Sequence, residues 1–420
     1  MKRLLGTGVL LSVLSLASFS QTEYDPSEAV VKVVQLTDKI YKLQCISGTY
    51  TNTIASVGED GILLVDTGYP QTSEPLADAL HKLGDGKVRI VINTHEHSDH
   101  IGANAAFAQE AMIVSHERVR QAYRGQYFAL PGIDRPGAPQ VVFKDSLSLY
   151  FNGEEIRLQH YPGGHTLGDI VVHFTDSKVA FVGDMVFAGC FPSADIVRGG
   201  DLNRCLANTR QIIRDYPTDT LFVNGHGPDY RTDDLKAYLD VGTTTSQLIR
   251  SEIEKGQSMD DIVASDLLAS WEKWGKGVVS EREWVACVYR QHLKETHQST
   301  PSICQPLTEA IVAGGIEDAL ELYATLKAHH PEKYSFAEDE LNTLGYRLLD
   351  RERIAEALEI FKLNVAAYPE SGNVYDSLAE AYMVQGDNAL AIEYYNKSLE
   401  KDPNNSNAEA MLTRLGQKKN

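Results

Sequence analysis

Six consecutive residues constrain this chain more than any other stretch: His95-Glu96-His97-Ser98-Asp99-His100, set directly after the β-branched run Val88–Ile92. The run reads as a strand. On an extended backbone, side chains two residues apart share a face. His95 and His97 can therefore address one cation together. The chain must then turn, which presents Asp99 and His100 to a second, neighbouring position. Imidazole and carboxylate donors suit divalent zinc. Three histidines and an aspartate in six residues outweigh the competing reading, a polar loop with solvated histidines.

Three further pieces follow in chain order. Gly163-Gly164-His165-Thr166-Leu167-Gly168-Asp169 places a histidine in a glycine-rich turn between two strands. Gly183-Asp184-Met185 ends the run Val179–Val182 with a carboxylate, and Asn224-Gly225-His226-Gly227 ends Leu221–Val223 with a histidine. Glycine beside each donor lets the backbone come close to a bound ion. Every donor lies at a strand end or in a loop, where functional groups on a rigid scaffold usually sit. His116, His160 and His173 fall outside these motifs and read as structural. Asp169, four residues after His165, reads equally as a group that bonds the turn or as a solvated one. His329-His330 precedes Pro331 at a helix end and reads as solvated.

Residues 30–230 alternate short strands with turns and helices. Ile62–Val65 and Ile170–His173 are further strands, and Ser73 to Leu83 reads as a helix with Ser73 as N-cap and Gly84 past its end. Residues 121–140 carry Tyr123, Tyr127 and Phe128, then Pro131, Gly132, Pro136, Gly137 and Pro139. That composition predicts a long loop, with the aromatic cluster either gating a site or packing on the domain. From 232 to 300 the spacing of apolar residues becomes helical. Beyond 306 a period of 34 emerges: Leu344-Gly345 answers to Leu378-Ala379, Ala357 to Ala391, and Tyr368-Pro369 to Asp402-Pro403. Two amphipathic helices per 34 residues is the tetratricopeptide pattern, and residues 316–331 read as part of an earlier, degenerate unit. A plain helical bundle is the alternative.

These four motifs, with Val65-Asp66-Thr67-Gly68 ahead of them as a fifth, closely resemble the metallo-β-lactamase superfamily over about residues 30–230. The resemblance implies an α+β chain: an αββα sandwich followed by an all-α region with tetratricopeptide-like repeats. It assigns His95, His97 and His165 to a first metal, Asp99, His100 and His226 to a second, and Asp184 as the bridge. Asp66, in Val65-Asp66-Thr67-Gly68, matches the superfamily's first motif, where it orients the ligand loop. Aspartate at 184 resembles the glyoxalase II, lactonase and phosphodiesterase branches. The zinc β-lactamases mostly carry cysteine or serine there.

The expected function is an exported metal-dependent hydrolase. Two zinc ions, with iron or manganese as substitutes, would lower the pKa of a shared water, and the resulting hydroxide would attack a small ester-like, lactone or β-lactam substrate. Asp99 is placed to help accept a proton. Alternatives are an antibiotic-hydrolysing metallo-β-lactamase, an alkyl-sulfatase-like or phosphodiesterase-like hydrolase, and an iron-dependent redox enzyme of the same fold.

Lys2 and Arg3, the uncharged run Leu4 to Phe19, and Ser18 and Ser20 before Gln21 read as a secretion signal over residues 1–20. The run is short for a bilayer span, which needs about 20 apolar residues. The domain expectation is 1–20 signal, 21–231 metal domain, 232–305 helical extension and 306–420 tetratricopeptide-like region. A net charge of −19 argues against a nucleic-acid surface and against docking on anionic lipid. The expected partners are a small-molecule substrate and, through the tail, another protein or a second copy. Five cysteines in an exported chain leave at least one unpaired within the chain. Cys190 with Cys205 and Cys287 with Cys304 are candidate pairs; buried free thiols are the alternative.

Overall fold

The computed structural model describes residues 29–416 apart from 48, 85–86, 125–135, 197–198, 297–300, 332, 350, 352 and 404. The secretion signal expected over 1–20, and Tyr127, Phe128, Pro131 and Gly132 of the expected loop, lie outside the described residues.

Two sheets face each other. The first runs in the order β1 (Val30–Gln35), β2 (Ile40–Ser47), β3 (Thr49–Gly58), β4 (Gly61–Val65), β5 (Val88–Asn93), β6 (Met112–His116) and β7 (Val141–Phe143). It is antiparallel from β1 to β4 and parallel from β4 to β7. The second holds β8 (Ser146–Phe151), β9 (Glu154–His160), β10 (Ile170–Phe174), β11 (Val179–Phe181) and β12 (Leu221–Val223), with only β11 and β12 parallel. Between them lies an apolar layer that includes Ile54, Val65, Ile92, Leu158, Val172 and Phe181. β4 and β10 are buried along their whole length, which explains why they read as continuous apolar runs rather than alternating ones.

Helices cover the outer faces. Leu76, Ala79 and Leu80 set α1 (Ser73–His81) against the first sheet. Its start differs from the expectation. Pro70 opens a 3₁₀ turn over Pro70–Thr72 that runs straight into the helix, so Ser73 is already helical and the Thr72 hydroxyl donates back to Tyr69 O at 2.8 Å. One-turn helices α2 (Ser98–Ile101) and α3 (Asn104–Phe107) follow β5, α4 (Glu117–Tyr123) follows β6, and α5 (Leu202–Asp215) precedes β12. The expected loop at 121–140 is thus helical through Tyr123, whose hydroxyl donates to Pro136 O at 2.8 Å.

Past residue 231 the chain is helical: α6 (Thr232–Glu254), α7 (Met259–Ala264), a 3₁₀ stretch at Ala269–Gly275 and α8 (Glu281–Glu295). This extension is not independent of the sandwich. Tyr238, Val241, Ile249, Trp274, Trp284 and Val288 share one buried cluster with Val186, Phe187, Phe191, Leu202 and Leu206. The tail has its own cluster from Ile303 to Leu412. It comprises α9 (Cys304–Ala313), α10 (Ile316–His329), α11 (Glu338–Leu349), α12 (Ile354–Ala367), α13 (Gly372–Gln385), α14 (Asn388–Lys401) and α15 (Ser406–Arg414). Its hairpins recur at the spacing read from the sequence, with α11, α13 and α15 beginning 34 residues apart. Gly345 is tied to that stacking, because a Cβ there would lie 2.5 Å from the Phe361 ring. No helix among the described residues is long and apolar enough to cross a membrane. All five cysteines are buried and free, so neither candidate disulfide forms.

His116 and His160 stack between β6 and β9 with ring centroids 3.6 Å apart. Burial holds His116 down to about 4 and His160 below its ordinary value, so both rings are neutral at pH 7. Between an unfolded value of about 6.5 and the depressed folded values, only the unfolded chain takes up protons, so stability is lost as pH falls through that window. The thermal midpoint should therefore drop on acidification from pH 7 toward 4, by about 2–4 °C for each kcal/mol lost. In His160→Phe, which removes one proton site from the stack, the decline should be shallower; an unchanged slope would assign the acid loss elsewhere.

Candidate metal centre

The ends of β4 and β5 lie side by side in parallel pairing. Asp66 follows β4 with φ +61°, a conformation few non-glycine residues adopt. Its N–H donates to Ile92 O at 2.8 Å. Its carboxylate, wholly buried, accepts the Thr94 N–H at 2.8 Å, the Thr94 hydroxyl at 2.7 Å and His100 Nδ1 at 2.7 Å. Burial raises the Asp66 pKa, and the contacts with His100 and Thr94 pull it back. The backbone bends at Thr94 and His95, is extended again at His97 and then enters α2, which carries Asp99 and His100. This is the turn that the spacing required. Thr67 N donates to His100 O at 2.7 Å and fixes the helix end.

The seven residues read as ligands converge. Ligand atoms of His95, His97, His165 and Asp184 lie within 4.8 Å of one another, and so do those of Asp99, His100, Asp184 and His226. His97 Nδ1 is 3.0 Å from His165 Nε2, and Asp184 Oδ2 is 3.8 Å from both His95 Nε2 and His165 Nε2. In the second quartet, His226 Nε2 is 3.0 Å from Asp99 Oδ2 and 3.4 Å from Asp184 Oδ2, while His100 Nε2 is 3.2 Å from Asp184 Oδ1. Donors about 2.0–2.1 Å from a tetrahedral zinc stand roughly 3.3 Å apart, so both quartets have the right size. His95 Nε2 is buried with no hydrogen-bond partner, and His100 Nε2 and Asp184 Oδ1, also buried, have only each other at 3.2 Å. Buried polar atoms of this kind call for a ligand, and the residues fit a pair of dications.

The charges agree. Burial holds His95 well below its ordinary value and His165 down to about 4, leaving neutral donors. Burial also disfavours the His226 cation, but the Asp184 and Asp99 carboxylates overcome it and raise that ring to about 10. His100 behaves alike, with Asp184, Asp99 and Asp66 outweighing burial. Asp184 and Asp99 sit well below the usual carboxylate range: burial opposes ionisation, and the His226 and His100 rings more than compensate. A pocket that draws protons so strongly is one that cations can occupy in their place.

The nitrogens that face away from the quartets are also held. His95 Nδ1 meets the Thr94 hydroxyl at 3.1 Å, His165 Nδ1 meets Ser193 O at 3.2 Å, and His226 Nδ1 meets Tyr50 O at 2.7 Å. Such support orients ligands. Asp66 belongs here: it is a member of neither quartet, bonds His100 of the second and acts as a positioning residue. Asp169 closes the His165 turn, accepting the Thr166 N–H and hydroxyl, and burial pushes its carboxyl up to about 8. His116, His160 and His173 belong to neither quartet, and His329 and His330 are exposed. Sequence reasoning missed Thr51, whose hydroxyl donates to Asp99 Oδ2 at 2.8 Å, and Asn52, whose amide donates to Asn224 O at 2.9 Å. Both precede the first motif, and no local pattern marks them. Phe187 stacks parallel to His226, and Tyr50 and Tyr69 flank the second quartet, Tyr69 through Thr51.

Known proteins bear on this geometry. A model of the metallo-β-lactamase superfamily matches residues 47–226, and a tetratricopeptide-repeat model matches 372–405. The chain is 28% identical over 177 residues to hydroxyacylglutathione hydrolase GloC of Haemophilus influenzae, spanning 40% of this chain and 81% of that one. It is 33% identical over 155 residues to a hydroxyacylglutathione hydrolase of Hyphomonas neptunium, spanning 36% of this chain and about half, 54%, of the relative. A solved metallo-β-lactamase from Pontibacter korlensis superposes with TM-score 0.42 at 21% identity, over 50% of this chain and 99% of that one.

Gly225 tests the placement of the shared carboxylate. A Cβ at this position would lie 2.0 Å from Asp184 Oδ1 and 2.7 Å from His100 Cε1. Gly225→Ala should therefore displace Asp184 and weaken zinc binding at least tenfold while the chain stays folded, read by metal analysis after dialysis beside circular dichroism. Full zinc retention would show that Asp184 does not join the two quartets.

Proposed function

With residues 47–226 forming a metallo-β-lactamase superfamily domain, we propose that the chain is a two-zinc hydrolase of small ester-like acyl bonds, esters and lactones above all, acting outside the cytoplasm. The observation that carries this reading is that Asp184 belongs to both quartets. A carboxylate there has two oxygens to offer a pair of dications, and zinc accepts carboxylate oxygen beside imidazole nitrogen. Such a pair supplies Lewis acidity toward a carbonyl oxygen and lowers the pKa of water.

The chain's own groups do the rest. His95, His97 and His165 would hold one cation, and Asp99, His100 and His226 the other. Asp99, with the Thr51 hydroxyl bonded to Oδ2, is the carboxylate placed to take a proton from attacking water. Burial raises the pKa of Tyr50 and Tyr69, so both hydroxyls stay protonated and can donate to a substrate oxygen. Phe187 gives the pocket an apolar wall beside His165 and His226. The two relatives carry names of acyl-thioester hydrolases, which supports acyl transfer to water as the reaction class. The basic, then apolar start of the chain supports export, and the tetratricopeptide match supports a protein partner for the tail.

Zinc-loaded protein should contain two zinc equivalents per chain and cleave aryl esters and lactones in a panel that also holds a thioester, a chromogenic cephalosporin, a sulfate ester and a phosphodiester. A strong chelator should abolish the activity, and zinc should restore it. Preference for the sulfate ester or phosphodiester, or cleavage that survives chelation, would overturn the assignment. Tightly held iron with a visible absorbance band would favour redox chemistry instead.

A further inference from the structure

We infer that Asp195 is the positioning residue for the first cation, the counterpart of Asp66 at the second; the inference rests on the two-cation reading above. His97 turns its Nδ1 toward His165 Nε2 at 3.0 Å. Its Nε2 must then carry the ring proton, and a proton there needs an acceptor. Asp195 Oδ2 stands 3.1 Å from it. Each quartet thus contains one histidine backed by a carboxylate: His100 by Asp66 at 2.7 Å, and His97 by Asp195. A carboxylate in this place fixes the tautomer and raises the basicity of the ligand.

The placement of Asp195 is built rather than incidental. Its N–H donates to His165 O at 2.8 Å, and its carbonyl accepts the Gly200 N–H at 2.8 Å. A Cβ on Gly200 would lie 2.4 Å from His165 O, so only glycine lets the chain return so closely. Ser193 O accepts His165 Nδ1. The short strap 193–195 therefore holds two ligands of the first quartet, His97 and His165.

Behind the strap stands the helical extension. Phe191 stacks on Trp284 with centroids 5.8 Å apart, and its N–H donates to Trp274 O at 3.0 Å. Cys287 Sγ lies 3.7 Å from Ala194 O. Gly242 sits under Pro192, where a Cβ would come within 2.7 Å of Cγ. The first cation's ligands are thus braced by residues from 232 onward. The Asp195 carboxylate is 21% exposed, so water screens it more than buried Asp66, and the effect belongs near the lower end of the 10- to 100-fold typical of such groups.

The test uses the full chain in two one-site backgrounds, with Zn²⁺ affinity read by competition against a chromogenic chelator. His226→Ala leaves the first site, and His165→Ala leaves the second. Asp195→Ala should weaken Zn²⁺ about tenfold in the first background and change it less than twofold in the second. Asp195→Asn, which keeps a carbonyl acceptor at the same position, should recover most of the loss. Gly242→Ala, which pushes the strap from behind, should also act on the first site alone. Unchanged affinity for Asp195→Ala in the first background, or equal losses in both, would overturn the inference. Fewer than two Zn²⁺ on the unmutated chain would overturn the two-cation reading itself, whatever the variants do.

Discussion

A carboxylate shut away from water holds this structure's chemistry together. Burying Asp66 is costly unless every lone pair that matters finds a donor. Two donors come from Thr94 and one from His100. Because β4 and β5 are parallel neighbours, Asp66 and Thr94 emerge at the same sheet edge, and the bonds between them join the two strand ends. The direction in which His95 and His97 leave the sheet follows from that joint. So does the orientation of His100 at the end of the next turn. Remove the carboxylate and His100 loses the acceptor that fixes which nitrogen it presents.

The parts of the site legible in the sequence are those in which neighbours in the chain are neighbours in space. His95, His97, Asp99 and His100 could be read because all four fall within six residues just past the end of β5, the last two on the single turn of α2. His165, Asp184 and His226 could be read because glycine flanks each one, His165 in a turn between two strands and the other two just past short apolar runs. The sandwich was legible for the same reason, since β4, β5, β10, β11 and β12 are short β-branched segments with clear boundaries. The 34-residue period was legible because the tail repeats a single local unit.

What stayed hidden depends on distance along the chain. Asp195 is 98 residues from His97, and nothing in Ser193-Ala194-Asp195 announces a contact. Tyr50 and Ser193 act through backbone carbonyls, which carry no residue signature. Neither cysteine pair forms for a related reason: closeness in sequence is not closeness in space, and all five thiols are buried and free. The start of α1 shifted because Pro70 favours a tight turn earlier than Ser73 favours a cap.

The helical extension gains a meaning that its sequence does not suggest. A metal ligand misplaced by a fraction of an ångström binds poorly, and the segment carrying Asp195 crosses open ground between β11 and α5 with little regular structure of its own. Loops of that kind become precise only when something rigid lies behind them. Trp284 and Trp274 supply that backing through Phe191, in a cluster continuous with the wall of the site at Phe187. The tail, by contrast, keeps a separate core and meets the extension through contacts such as the ion pair of Arg290 and Asp339 at 2.7 Å. Exposed pairs of that kind contribute little stability. The site is therefore stiffened from two directions, by Asp66 on the sheet side and by the extension through Asp195 on the other, while the repeats pack around a core of their own.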